Sequence, residues 1–121
     1  MKQNTTLAAF TEGQNVSDSK QGSGEGEAYV VGITDQRADD YYIDAIDKTV
    51  AECNPDCPGH DRVIEIVFAD ELDSQKIGMM EKDASMKTSE GRDFGAVFAQ
   101  NLRNHDDTTV YTYPESRLEA I

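Results

Sequence analysis

Ala28-Tyr29-Val30-Val31-Gly32-Ile33-Thr34 and Arg62-Val63-Ile64-Glu65-Ile66-Val67-Phe68-Ala69 are the two stretches on which the fold turns. The first is short, β-branched and almost continuously apolar, which marks a central strand covered on both faces. In the second, Ile64, Ile66 and Phe68 share one face, and Val63, Glu65 and Val67 the other. Between them, Asp39 or Asp40 is placed to cap a helix running to about Cys53. Tyr42, Ile43, Ile46, Val50 and Cys53 recur there at helical spacing, with Asp44, Asp47, Lys48 and Glu52 elsewhere. Pro55 and Pro58 make Asn54 to His60 a tight loop. A strand-helix-strand run predicts parallel strands joined by a right-handed crossover.

Downstream, Gln75 to Glu81 reads as an edge strand bulged at Gly78, and Lys82 to Gly91 as a mobile loop. Arg92 to Arg103 predicts a second helix with Phe94, Val97, Phe98 and Leu102 as its buried stripe and Asn104 as its stop. Thr108 to Tyr113 is a last strand ended by Pro114, and Ser116 to Ile121 a terminal turn packing Leu118 and Ile121. The expected architecture is a small α/β (α+β) two-layer sandwich, β-α-β-(β)-α-β, with ferredoxin-like order favoured. Without the doubtful strand, the sheet would be three-stranded and largely parallel. Upstream, residues 14–27 hold a single apolar residue, Val16. Residues 1–27 therefore read as a flexible polar arm and 28–121 as a single domain. Leu7, Ala8, Ala9 and Phe10 would anchor the arm if it folds on a neighbour.

Charge is the strongest compositional signal. Asp plus Glu number 24 against 11 Lys plus Arg, a net charge of −13 on 121 residues. Such a surface repels itself in dilute buffer and opposes compaction. At about 1 M salt the screening length falls to roughly 3 Å, so the same surface is tolerated in brine. This points to a halophilic organism or its virus. Ordinary solubility and mimicry of DNA are the competing readings. Direct binding of nucleic acid is disfavoured, because no basic patch exists to displace counterions. The opening residues carry no sustained apolar run, and no stretch has the length of a bilayer span. The expected location is the cytoplasm or a virion.

Two constellations are candidates for chemistry. Asp35 follows the first strand, and Asp70 with Glu71 follows the second. Parallel strands would gather these acids on one sheet edge, where they could hold Mg²⁺ for phosphodiester chemistry. Against this, abundant acids put some pair there by chance, and caps and turns also use Asp. Cys53-x3-Cys57-x2-His60 with His105 supplies four residues able to ligate zinc. In ferredoxin-like order His105 would have to come from another subunit. A reversible disulfide is the alternative. The plainer reading makes Cys53 a small buried apolar residue and His60 a loop residue. Ile66 to Glu71 looks like the end of a nucleotide-hydrolase strand, but no phosphate-binding loop with its lysine precedes it.

The sequence therefore favours a non-enzymatic binding or assembly subunit with protein partners, in a homo- or hetero-oligomer such as a virion neck or tail ring. The alternatives are a carboxylate-metal phosphodiesterase and a small zinc or thiol regulatory module. Neither nucleic acid nor membrane is an expected partner.

Overall fold

The computed structural model describes residues 10–19, 26–105 and 108–121. The element order is β1 (Asn15–Asp18), β2 (Glu27–Arg37), β3 (Tyr42–Ile43), β4 (Lys48–Thr49), α1 (Val50–Cys53), β5 (Arg62–Phe68), α2 (Ser74–Thr88), α3 (Phe94–Arg103), β6 (Tyr111–Pro114) and β7 (Leu118–Ala120). Five strands form one antiparallel sheet in the order β6-β5-β2-β1-β7, and β3 with β4 forms a separate hairpin.

The mixed α+β architecture is as the sequence implied. A helical layer lies on one face of a central sheet, with Val31 and Val67 packed against Val97, Phe98 and Leu102. The finer ferredoxin-like order is compatible with this layering but not confirmed by it, since α2 and α3 follow one another with no strand between.

Several elements differ from expectation. β2 and β5 are antiparallel, not parallel, with Ala28 opposite Phe68 and Ile33 opposite Ile64. An antiparallel pair needs no crossover helix, and none forms. The expected helix over residues 39–53 is a hairpin followed by one helical turn. Asp47 turns the hairpin in a left-handed conformation, φ 56°. Thr49 then starts α1 through a reciprocal capping box with Glu52. Tyr41 and Ile43 pack on Ala38, Val50 and Val63, so a hairpin satisfies the same apolar residues that suggested a helix.

Residues 75–81 and the expected mobile loop after them belong to one helix, the 15-residue α2. Asp73 caps it by accepting from the Lys76 amide. The terminal segment is a strand, β7, that buries Leu118 but leaves Ile121 71% exposed. The segment read as a flexible arm contributes β1, paired to both β2 and β7. Phe10, one of the four expected anchor residues, is buried in its own chain, whereas Leu7, Ala8 and Ala9 lie outside the described residues.

The connection from β6 to β7 bends the sheet. These strands occupy opposite edges, yet only Glu115–Arg117, a 3₁₀ turn, separates them. Five flat strands would hold the edges about 19 Å apart. Four residues of mostly 3₁₀ rise reach about 8 Å. The sheet must therefore roll until its edges approach, and the Ser19 amide donates to the Arg117 carbonyl at that seam, 2.9 Å. Val16, Val30, Ile64, Ile66 and Leu118 fill the inside of the roll together with Phe10. A bulge helps the curvature. Val30 faces Ile66 and Gly32 faces Glu65, so Val31 is the extra residue.

Arg117 closes the seam. Its Nε and Nη2 donate to Asp18 at 2.9 and 2.8 Å, and its Nη1 donates to Asn54 Oδ1 at 2.7 Å. Its guanidinium lies 4.3 Å from the Tyr113 ring centre. One side chain thus ties β1, the end of α1 and β6.

Two outcomes test this description. Gly78 sits inside α2 with open space where a Cβ would be. Gly78→Ala should therefore raise the unfolding free energy by about 0.5–1 kcal/mol in urea titration; destabilisation would contradict a helix there. Arg117→Leu should lower stability by about 3–5 kcal/mol by stranding Asp18, and adding Asp18→Leu should recover most of that loss. Equal losses in the single and double variants would show that the pair does not act as a unit.

Candidate functional site

The three candidate carboxylates do not converge. Because β2 and β5 run antiparallel, Asp35 lies toward the end of the sheet where β5 begins, and Asp70 and Glu71 lie beyond the end where Phe68 faces Ala28. About seven residues of extended strand, roughly 20 Å, separate the two ends. Glu71 is bound up in structure. Its Oε1 accepts from the Thr109 amide at 3.0 Å and its Oε2 from the Tyr111 hydroxyl at 2.9 Å, pinning the turn after β5 to β6. Asp35 and Asp70 are exposed.

The cysteines flank the seam rather than a core. Cys53 ends α1 and is exposed, contrary to the plainer expectation that it is buried; Cys57 is half-buried and no disulfide joins them. Asn54, between them, is buried because its Nδ2 donates to the Val50 carbonyl at 2.8 Å while its Oδ1 accepts from Arg117. The loop thus packs for the sake of Asn54. His105 follows α3 and lines a hollow with Met79 and Met80. Among the described residues, no three His, Cys, Asp or Glu side chains are grouped so as to hold a metal ion.

The structure does bring Asp35 and His60 together. They line a polar cleft of about 410 Å³ at the open end of β2 and β5, with Arg37, Asp61, Arg62 and Glu115. Acids and bases alternate there and mostly serve each other. Arg37 donates twice to Asp39, at 3.0 and 2.9 Å, and Asp61 accepts from the Ser116 amide at 2.9 Å. That double bond first, then the positive charge itself, holds the Asp39 carboxyl below its ordinary range. Neither Ser nor Cys lines this cleft, so it offers no hydroxyl or thiol for an adjacent base to activate.

A second groove runs between β2 and α3. Glu65 and Arg103 pair across it at 2.6 Å beside Gly32. A Cβ on Gly32 would collide with the Glu65 carboxylate, so the glycine makes room for this ion pair. Further along, the backbone at Glu12 and Gly13 closes against Gly95 of α3, with 2.9 Å between a Gly13 Cβ position and the Gly95 Cα. The groove is a packing seam between the strand-bearing N-terminal segment and the helical layer.

Comparison with protein-family models, with curated proteins and with solved structures returns no match. The geometry therefore stands by itself. Among the described residues, no helix is long and apolar enough to cross a membrane. Every described Asp and Glu except Asp18 keeps some exposure, so the acidic surplus is a property of the surface. The sequence reading passed over Arg117 and Asp18. The alternation Asn15-Val16-Ser17-Asp18 carried the signal, since it places Asp18 on the same face as buried Val16.

Tyrosine ionisation reports on these contacts. Tyr29, Tyr111 and Tyr113 each hold their proton above the ordinary value of 10.0. Burial is the main cause for Tyr29 and Tyr113, and the bond to Glu71 for Tyr111. The native state then binds more protons than the unfolded chain at high pH. Stability contributed by these groups is intact below pH about 10 and is lost as pH rises through their folded values. Absorbance titration of tyrosinate should show these groups ionising later than free tyrosine, with the unfolding free energy declining over the same interval. A single titration at the free-tyrosine midpoint would contradict the burial and hydrogen bonding described.

Proposed function

We propose that the protein is a non-enzymatic binding or assembly subunit adapted to concentrated salt, in a halophilic organism or its virus, where it forms part of a larger particle such as a virion neck or tail ring. The observation that carries this reading is the distribution of charge: a net −13 spread over the outside of one small body. Three of the five arginines are held in ion pairs, Arg37 to Asp39, Arg103 to Glu65 and Arg117 to Asp18. The cations thus serve the fold, while the excess acids face solvent.

An enzyme active at low salt would have no physical reason to accept that repulsion. Dense counterions remove it, because interactions between exposed charges die away beyond about 3 Å at 1 M salt. A binding role also suits the surface. The described clefts are shallow and occupied by ion pairs that fix loops and strand edges, and the folded body leaves apolar side chains exposed on both a hairpin and a helix.

The test is thermal unfolding as potassium chloride is raised from millimolar to several molar. The midpoint should climb by at least about 5 °C, equivalent to roughly 1 kcal/mol for a domain of this size. Equal midpoints at both extremes would remove the salt-adapted reading.

A further inference from the structure

We propose that copies of this chain associate through a knob-and-hollow contact: the β3–β4 hairpin of one copy seats in the hollow between α2 and α3 of another. The inference rests on the assembly reading above and names its surfaces.

The knob is apolar and held in place. Tyr42 and Ile46 are each 51% exposed, the first on β3 and the second in the turn. The turn is fixed by the amides of Ile46 and Asp47, which donate to the Ile43 carbonyl at 3.2 and 2.9 Å. Its base is anchored where Ile43 and Tyr41 pack on the small cluster around Val50. A preorganised knob loses little freedom on docking.

The hollow is mostly apolar in its lining, about 360 Å³, with Met79 and Met80 on one side and Asn101, Asn104 and His105 on the other. Its floor is braced, since Asn101 Nδ2 donates to the Met80 carbonyl at 3.3 Å and to Asp83 at 3.0 Å. Met79 and Met86, one heptad apart on α2, are 72% and 62% exposed. Methionine adapts its shape to an incoming side chain. Isolated exposed apolar residues are normal, but here they lie on two compact elements of a chain that is otherwise covered in charge.

Charge complementarity selects a second copy as the occupant. Residues 39–52 carry Asp39, Asp40, Asp44, Asp47 and Glu52 against Lys48 alone. The helices beside the hollow reverse the balance. From Ser74 to Thr88 and Phe94 to Arg103 the cations are Lys76, Lys82, Lys87 and Arg103, and the acids only Glu81 and Asp83. Within a chain of net charge −13, the acidic hairpin finds its least repulsive landing on this helical layer. The contact joins two different patches, so repeated copies extend or close a ring unless both contacts form reciprocally in a pair.

Complementation tests it by light scattering in about 1 M potassium chloride and above, where long-range repulsion is screened. Two variants are made on the full chain: Tyr42→Ser with Ile46→Ser, and Met79→Glu. All three positions are exposed, and circular dichroism confirms that each variant folds. The wild type should exceed monomer mass, and each variant should weaken association at least about tenfold. An equimolar mixture should recover a dimer, because the intact hairpin of one variant meets the intact hollow of the other. Variants that associate like wild type, or a mixture that stays monomeric, overturn the contact. A wild type that is monomeric throughout overturns it as well. The salt-adapted reading is judged separately, on the unfolding midpoint.

Discussion

The shortness of the link between β6 and β7 is the constraint on which this fold depends. Three residues, Glu115–Arg117, must join the two edges of a five-stranded sheet. The sheet can meet that demand only by rolling, and rolling creates the interior that Val16, Ile64, Ile66 and Leu118 fill. The same turn delivers Arg117 to the place where the rolled edges meet. Its partner Asp18 is 1% exposed, so the pair forgoes hydration and must recover it through geometry. Two bonds to Asp18, one to Asn54 and a ring face from Tyr113 supply it. A buried pair of this kind contributes little net stability over an apolar substitute. It does fix register, because no other strand alignment presents Asp18 to Arg117.

That arrangement also explains how a chain poor in apolar residues manages a core. Apolar residues make up 37% of the sequence, yet three separate clusters form. The sheet is used on both faces, one inside the roll and one under α2 and α3. A flat sheet with one solvated face would bury about half as many strand side chains. Rolling substitutes geometry for bulk. The acids can then be pushed outward almost without exception, and Asp18, the one that is buried, has an arginine dedicated to it.

The strands with a plain period were legible. Ile64 and Ile66 against Val63 and Val67 gave β5 and both of its faces, and Val97, Phe98 and Leu102 gave the buried stripe of α3. Connections were not legible, for physical reasons. Tyr42, Ile43, Ile46 and Val50 satisfy a helix and a hairpin equally, and the decision fell to Asp47 adopting a left-handed turn. Once that helix was assumed, parallel strands followed and the carboxylates gathered wrongly on one edge. α2 hid behind Gly78 and adjacent Met79-Met80, which blur a helical stripe. β1 hid in a polar, glycine-rich setting because its stability comes from neighbours on both sides, β2 and β7, and not from its own four residues. The candidate site inherited these errors: Glu71 and Asn54 matter as structural ties, and Asp35 meets His60 only because β2 and β5 are antiparallel.

In so acidic a protein, information about binding lies in the exceptions to the charge. With 24 carboxylates on the chain, almost any cleft will be lined by some, so their presence in one discriminates weakly between a site and a surface. Exposed apolar groups carry the opposite weight. Each one forgoes burial in a molecule short of apolar residues, and concentrated salt raises the penalty for leaving it in water when the salt is excluded from protein surface. Tyr42, Ile46, Met79 and Met86 therefore stand out more sharply here than the same residues would on a neutral domain. Salt that quiets repulsion between copies also strengthens apolar contact between them. The environment that makes the acidic surface tolerable is the one in which a small apolar knob and hollow suffice to bring two copies together.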